Sequence, residues 1–227
     1  METAYRRIAL TLARWATRFT VFGMEHVHPD APGLFVANHA GSLGPVAIVA
    51  SLPIRLHSWV KADLLDPARS PGHLYREFVQ PDLRLEGGAG WALARALARI
   101  TGLLLRRLDC IPVESERFWS GAALRESVAL LGQGERVLVL PEDPHRPADA
   151  DTHIRPFHYG FVELCRLHRR ASGAPLAVYP VAVHLPSRRI SVGGALFHRE
   201  VGDWRASIEH TTAEVRDAVR ELYLALE

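Results

Sequence analysis

His39 is the residue of this sequence whose position most favours catalysis. It follows the apolar run Leu34-Phe35-Val36-Ala37 and Asn38, and a helix is predicted next, over residues 45–51. A histidine at the end of a buried strand is held by the sheet and lies at the rim where sites form in α/β proteins. Its imidazole can take a proton from a nucleophile near neutral pH. The position is suited to general-base chemistry, although a lone histidine is more often structural than catalytic.

A second group of reactive side chains lies in the loop over residues 142–153. Carboxylates and imidazoles follow closely there as Glu142, Asp143, His145, Asp149, Asp151 and His153, and an H-x-H pair stands apart at His26 and His28. Such ligands can bind Zn, Mn or Fe, but this spacing matches no fixed metal pattern. A solvated acidic loop is the simpler interpretation. A metal-dependent hydrolase is therefore the less favoured alternative, and we expect no metal or redox cofactor.

The segment Ala40-Gly41-Ser42-Leu43-Gly44 has the form A-x-S-x-G, a relaxed version of the nucleophile elbow of α/β-hydrolases. The elbow needs several strands before it, whereas the residues that precede Ser42 predict one helix and one strand. We therefore expect Ser42 to be a turn or N-cap residue.

The elements that must position these residues alternate along the chain. Strands are predicted at 34–37, 56–61, 110–113, 136–140, 176–184 and 190–196, and helices at 45–51, within 63–89, and at 91–108, 118–132, 161–170 and 203–226. This alternation predicts a single α/β sandwich over residues 25–227. An N-terminal amphipathic helix is expected within residues 1–24.

That helix is predicted over residues 4–22. Its apolar stripe is Tyr5, Ile8, Leu12, Trp15, Phe19 and Phe22, opposite Arg7, Arg14 and Arg18. A basic amphipathic helix suits a membrane surface, and packing on the domain or on a partner is the alternative. Recurring arginines argue against a signal peptide, and no apolar run reaches the roughly 18 residues of a membrane span. We expect a cytoplasmic protein, peripheral on the inner face of the membrane.

Composition narrows the functional classes further. The 227 residues carry a net charge of +2, too small for a general nucleic-acid binder. Of the 27 basic residues only Lys61 is lysine, which leaves 26 arginines. Cys110 and Cys165 form no CxxC pair, so neither a disulfide framework nor a zinc finger is indicated.

Six segments resemble, in order, the motifs of the glycerolipid acyltransferases, the family of lysophosphatidic acid acyltransferase. They are GLFVANHAGSLGP (33–45), VKADL (60–64), CIPVE (110–114), VLVLPE (137–142), RPFHYG (155–160) and PVAV (180–183). None is specific alone, and their common order carries the resemblance. It implies an α/β fold of that family's type. It also implies transfer of a fatty acyl group from the thioester of acyl-CoA or acyl carrier protein to a hydroxyl acceptor such as a lysophospholipid.

The resemblance also implies roles for individual residues. His39 is the general base, and Glu142 supports the site. Three arginines beside motif residues, together with one motif lysine, are expected to bind substrate phosphate: Arg117, Arg146, Arg155 and Lys61. The arginines of the helix over 91–108 could meet CoA phosphates, a carrier protein or lipid headgroups, or simply face solvent: Arg95, Arg99 and Arg106.

Several motif positions depart from the family's pattern. The family's aspartate, five positions after the histidine, is Gly44 here, and the arginine after the acid of the CIPVE segment is Ser115. Asp143-Pro144-His145-Arg146 replaces G-T-R, and His158 replaces the lysine of P-F-K. About thirty additional residues separate the GLFVANHAGSLGP segment from the CIPVE segment.

The missing aspartate leaves two hypotheses open. In one, Glu142, Asp143 or Asp63 orients the imidazole instead, because the motif loops converge at one sheet end. In the other, the fold binds acyl chains or lipids without transferring them. The loss of an orienting acid alone costs up to about 10⁴-fold in rate in triad enzymes.

Overall fold

The computed structural model of the chain describes residues 18–41, 44–81, 83–114 and 121–227. The strands are β1 (Thr20–Phe22), β2 (Gly33–Ala37), β3 (His57–Lys61), β4 (Ile111–Val113), β5 (Arg136–Val139), β6 (Ala177–His184), β7 (Arg189–Val192) and β8 (Leu196–Phe197). The α-helices of the described residues are α1 (Gly44–Ser51), α2 (Ala62–Leu65), α3 (Ser70–Leu74), α4 (Gly87–Arg107), α5 (Gly121–Gly132), α6 (Gly160–Ser172) and α7 (Trp204–Leu224). This mixed architecture confirms the predicted α/β class.

The strands form one sheet in the order β1-β7-β6-β2-β5-β3-β4, with β8 paired to β6. Strand β2 lies between β5 and β6, parallel to both, and β3 is parallel to β5 and β4. Strand β7 is antiparallel to β6 and parallel to β1 at the sheet edge. The sheet is therefore mainly parallel, as expected where helices connect successive strands.

Burial on both faces fixes β2 at the centre of the sheet. Leu34 and Val36 pack in one core with residues of α5 and α6, while Phe35 and Ala37 pack in the other with residues of α1. Successive strand side chains point to opposite faces, so a strand covered on both sides is a continuous apolar run. The residues after β2 are thus held by both cores.

The carboxyl ends of β2, β3 and β5 meet at one edge of the sheet. Val36 is in register with Val139, near the ends of β2 and β5. Three predicted site residues follow from this edge: His39 comes two residues after β2, Lys61 ends β3, and Glu142 comes three residues after β5. This edge is where sites lie in parallel α/β sheets.

The predicted helix over residues 4–22 is wrong at its carboxyl end. Residues 4–17 lie outside the described residues, and Thr20–Phe22 form β1, which pairs in parallel with β7. β-branched and aromatic residues favour strands, and the edge of the sheet supplies hydrogen-bond partners for this backbone. Strand β1 therefore extends the α/β domain to Thr20, ahead of the predicted boundary at residue 25.

Two further elements differ from the sequence-based expectation. The helical region predicted within 63–89 consists of the short helices α2 and α3 and a π-helix over Tyr75–Val79. The strand predicted over 190–196 is interrupted after Val192, where the Gly193 N–H donates to the Pro180 carbonyl at 2.8 Å. The Gly193-Gly194 pair accounts for the break because glycine weakens strand interiors.

Candidate active site

Asn38 fixes the chain immediately before His39. Its side chain is buried, and its amide pairs with the Val183 backbone in both directions. The Nδ2 group donates to the Val183 carbonyl at 3.1 Å, and Oδ1 accepts from the Val183 N–H at 2.7 Å. The amide thus continues the pairing of β2 with β6 beyond the end of the strand. Such a satisfied buried contact gives His39 a defined starting point at the sheet edge.

Glu142 fixes the other side of the His39 backbone. Its Oε1 accepts the His39 N–H at 2.7 Å, and its Oε2 accepts the Arg155 N–H at 3.2 Å. Burial raises the pKa of the Glu142 carboxyl, while these two N–H donors and the Arg155 charge act in the opposite direction. The carboxylate therefore joins the turn after β2 to the loop over 142–157. It contacts the His39 main chain rather than the imidazole.

The His39 imidazole lies at the exposed rim of the sheet. Desolvation by the surrounding protein lowers the pKa of His39 below the ordinary value of 6.5, and the charge of Lys61 lowers this pKa further. A hydrogen bond to the Gly41 backbone carbonyl acts in the opposite direction. The imidazole is therefore neutral at neutral pH, which is the form that a general base requires.

Gly44 cannot be exchanged for the aspartate of the family motif within this backbone. A Cβ at position 44 would lie 2.4 Å from the His39 carbonyl oxygen and 3.0 Å from the Ala40 Cβ. The Gly44 N–H also donates to the Ala40 carbonyl at 3.3 Å, and Ala40 and Gly41 both have positive φ, at 36° and 62°. The chain after His39 turns so tightly that the first residue of α1 has no room for a side chain.

The three carboxylates proposed to replace the motif aspartate have other partners. Asp63 pairs with Arg69 at 3.0 Å, and Asp143 accepts the His145 N–H at 2.9 Å and lies 3.6 Å from His158. Glu142 accepts the two backbone N–H groups. Within the described ranges, no carboxylate is hydrogen-bonded to the His39 imidazole, whose backbone partner is the Gly41 carbonyl.

The predicted phosphate-binding residues fall into different environments. Lys61 is exposed at the end of β3, close enough to influence the pKa of His39. The Arg155 guanidinium instead donates to the carbonyls of Pro144 and Arg146, at 3.2 and 2.5 Å, and so braces its own loop. Arg146 is exposed in that loop. Arg117 lies outside the described residues.

One residue of the rim was not predicted from the sequence. His73, on α3, has its pKa lowered by burial and then by the charge of Lys61, so it lies at the same rim as His39. It comes from the stretch between the VKADL and CIPVE segments, where no motif indicated it. Two histidines with lowered pKa values therefore flank the single lysine of the chain.

The acidic loop is held by contacts within the protein. Asp149 accepts hydrogen bonds from the Thr152 N–H and hydroxyl, each at 2.9 Å, and pairs with Arg220 of α7 at 2.8 Å. His26 hydrogen-bonds the Val192 carbonyl at 3.0 Å. In the part of the chain that the structure describes, no three histidine, cysteine or acidic side chains gather as metal ligands would.

Comparisons with known proteins support the fold. No protein-family model matches the sequence, and no curated protein matches it. Among solved structures, the chain is similar to the 1-acyl-sn-glycerophosphate (LPA) acyltransferase PlsC from Thermotoga maritima, with a TM-score of 0.57 and 15% sequence identity. The similarity covers 97% of this chain and 80% of that chain. The chain therefore has the fold of this acyltransferase, and the predicted fold type is confirmed. None of the helices described here is both long and apolar enough to cross a bilayer.

Proposed function

We propose that this protein is an O-acyltransferase that moves a fatty acyl group from acyl-CoA or acyl carrier protein to the hydroxyl of a lysophospholipid. The observation that carries the proposal is a neutral histidine at the carboxyl edge of the sheet. His39 has a lowered pKa and a backbone held by Glu142, in a fold similar to that of an acyltransferase. Perturbed titratable groups of this kind are characteristic of functional sites.

The reaction needs a base because a hydroxyl is a poor nucleophile at neutral pH. The His39 imidazole takes the hydroxyl proton as the acceptor oxygen attacks the thioester carbonyl. The C–S bond then breaks, and the proton passes to the departing thiolate. Lys61, beside the imidazole, provides a positive charge for the acceptor phosphate. Arg146 and Arg117 are the remaining candidates for phosphate contact, since the guanidinium of Arg155 binds its own loop.

The Gly41 carbonyl takes over part of the role of the missing aspartate. A backbone carbonyl can fix the tautomer and orientation of an imidazole through one hydrogen bond. It carries no full charge, so it stabilises the imidazolium less than a carboxylate does. We therefore propose slow turnover, with Glu142 acting as a positioning residue through the His39 backbone and Asp143 bound within its own loop.

Residues 4–17, the part of the predicted helix ahead of β1, supply the proposed contact with the inner face of the membrane, where a lysolipid acceptor resides. The arginines and aromatic residues of this segment suit anionic headgroups. Deletion of residues 1–17 should reduce binding to anionic vesicles, while the sheet keeps β1. Vesicle binding equal to that of the full chain would contradict this assignment.

Thiol release from acyl-CoA and acyl carrier protein tests the reaction itself. We expect acceptor-dependent release from the wild type with lysophospholipid in micelles. His39→Ala should abolish it, and His210→Ala, an exposed histidine of α7, should leave it unchanged. Equal release by the wild type and His39→Ala would refute the role of His39.

The packing at Gly44 favours a second candidate, a protein that binds acyl chains without transferring them. No acid can stand at position 44 in this backbone. This candidate predicts no thiol release from any donor and saturable binding of a fluorescent fatty acid by the folded protein. Acceptor-dependent release would exclude it.

A further inference from the structure

Exposed apolar side chains gather on one segment of the molecule. Among the described residues, thirteen large hydrophobic side chains are exposed, and six of them lie within residues 83–104: Leu83, Leu85, Trp91, Ile100, Leu103 and Leu104. Ile100 and Leu103 are the most exposed of all, at 59% and 60%. Clustered exposure of this kind marks an interaction surface, whereas single exposed residues do not.

The packing of α4 explains why this face points outward. The helix buries a ridge of small residues at intervals of four, namely Gly90, Ala94, Ala98 and Gly102. This ridge faces the short helices, and the Arg106 guanidinium donates to the Leu65 carbonyl of α2 at 3.5 Å. Small residues on the inner side allow close helix contact. Ile100, Leu103 and Leu104 are left on the outer side.

The positive charge of α4 indicates the kind of partner that suits its outer face. The helix carries Arg95, Arg99, Arg106 and Arg107 and no acidic residue along its 21 residues. Arg95 and Arg99 are exposed and one turn apart, Leu103 follows one turn after Arg99, and the ion pairs of the described residues include neither guanidinium. A second copy of the same face would repel this charge. Leucines between arginines match a surface that is apolar inside and anionic outside.

We propose that the outer face of α4 binds the surface of an anionic phospholipid bilayer. The apolar side chains Ile100, Leu103 and Leu104 enter the headgroup region, and Arg95 and Arg99 contact lipid phosphates. Helix α4 packs on α2, which begins directly after Lys61. Bilayer binding through α4 therefore brings the His39 rim close to lipid.

Vesicle sedimentation of the full chain tests this surface without any acyl donor, so the result is independent of the proposed reaction. The vesicles contain equal parts of phosphatidylcholine and phosphatidylglycerol, with phosphatidylcholine alone for comparison. We expect Ile100→Asp with Leu103→Asp to weaken binding by at least about tenfold. Arg95→Gln with Arg99→Gln should weaken it about fivefold per arginine at low salt.

The control is Val201→Asp with Leu224→Asp, which changes two exposed apolar residues elsewhere, at 45% and 48% exposure. It should bind like the wild type. All these positions are exposed, so thermal melting should confirm that the variants fold. All variants keep residues 4–22, so a loss of vesicle binding in the α4 variants but not in the control is attributed to α4. Equal binding by the aspartate pair and the control pair would overturn the proposal, as would wild-type binding to acyl carrier protein but not to either vesicle.

Discussion

Gly44 is the position where one added methyl group tests the geometry beside His39 most directly. In Gly44→Ala, the new Cβ would meet the His39 carbonyl oxygen at 2.4 Å, far inside van der Waals contact. That oxygen belongs to a backbone held by the Glu142 hydrogen bond on one side and by Asn38 on the other. The contact can be relieved only if the His39 turn or the start of α1 moves.

The size of the effect follows from two opposing terms. Overpacking of this kind costs about 1–3 kcal/mol. Alanine is more favourable than glycine in a helix by up to about 1 kcal/mol, and by less in the first turn. We therefore expect Gly44→Ala to lower the free energy of unfolding by about 1–2 kcal/mol.

Urea unfolding measures this difference, with Gly88→Ala as the matched control. Gly88 lies in the first turn of α4, and its Cβ would meet no atom within 4 Å. The control should be as stable as the wild type or up to about 1 kcal/mol more stable. Gly44→Asp places the same Cβ against His39, so it should lower acyl-transfer turnover although it restores the family motif. Faster turnover in Gly44→Asp, or equal stability of the two alanine variants, would refute the reasoning.

Three further predictions concern the groups that hold His39. Asn38→Ala leaves the Val183 N–H and carbonyl buried without partners, so it should lower the free energy of unfolding in urea by about 2–4 kcal/mol. A decrease below about 1 kcal/mol would contradict the role of Asn38. Glu142→Gln places an amide N–H₂ against a backbone N–H, so it should lower both the melting temperature and turnover. Asp143→Asn keeps Oδ1 as the acceptor of the His145 N–H and should have a smaller effect. Equal decreases in melting temperature and turnover for the two variants would show that Glu142 has no particular role in positioning His39. In the pH profile of kcat/KM, the acidic limb should lie below pH 6.5, because the neutral base persists below the ordinary pKa of histidine. Lys61→Met removes a charge that lowers the pKa of His39, so the acidic limb should move to higher pH. An unchanged limb would show that Lys61 does not influence the pKa of the base.

The fold could be predicted largely because buried strands and helices have recognisable patterns of apolar residues in the sequence. Strand β2 is apolar at every position because both faces of the sheet are covered, and the alternation of strands and helices gave the α/β class. The end of the first predicted helix could not be read in this way. Phe19 and Phe22 are three residues apart, which fits a helical stripe, although Thr20–Phe22 pair with a strand far along the chain.

The placement of three candidate residues could be predicted because the carboxyl ends of parallel strands meet at one edge of a sheet. The sheet places His39, Lys61 and Glu142 at one edge, as parallel strands require. The contact of Glu142 with the backbone of His39, and not with its ring, depends on a turn with two consecutive positive φ values. The partner of Asn38 lies 145 residues away. The spacing of residues along the chain determines neither feature.

Lys61 is the only lysine in the sequence, and it lies beside His39 at the candidate site. A reagent selective for amines will therefore modify this side chain and the amino terminus and leave the 26 arginines unchanged. Reductive methylation with isotope-labelled formaldehyde would place one spectroscopic label at the rim of the sheet without any mutation. Its resonance would report directly when an anionic ligand binds next to the imidazole.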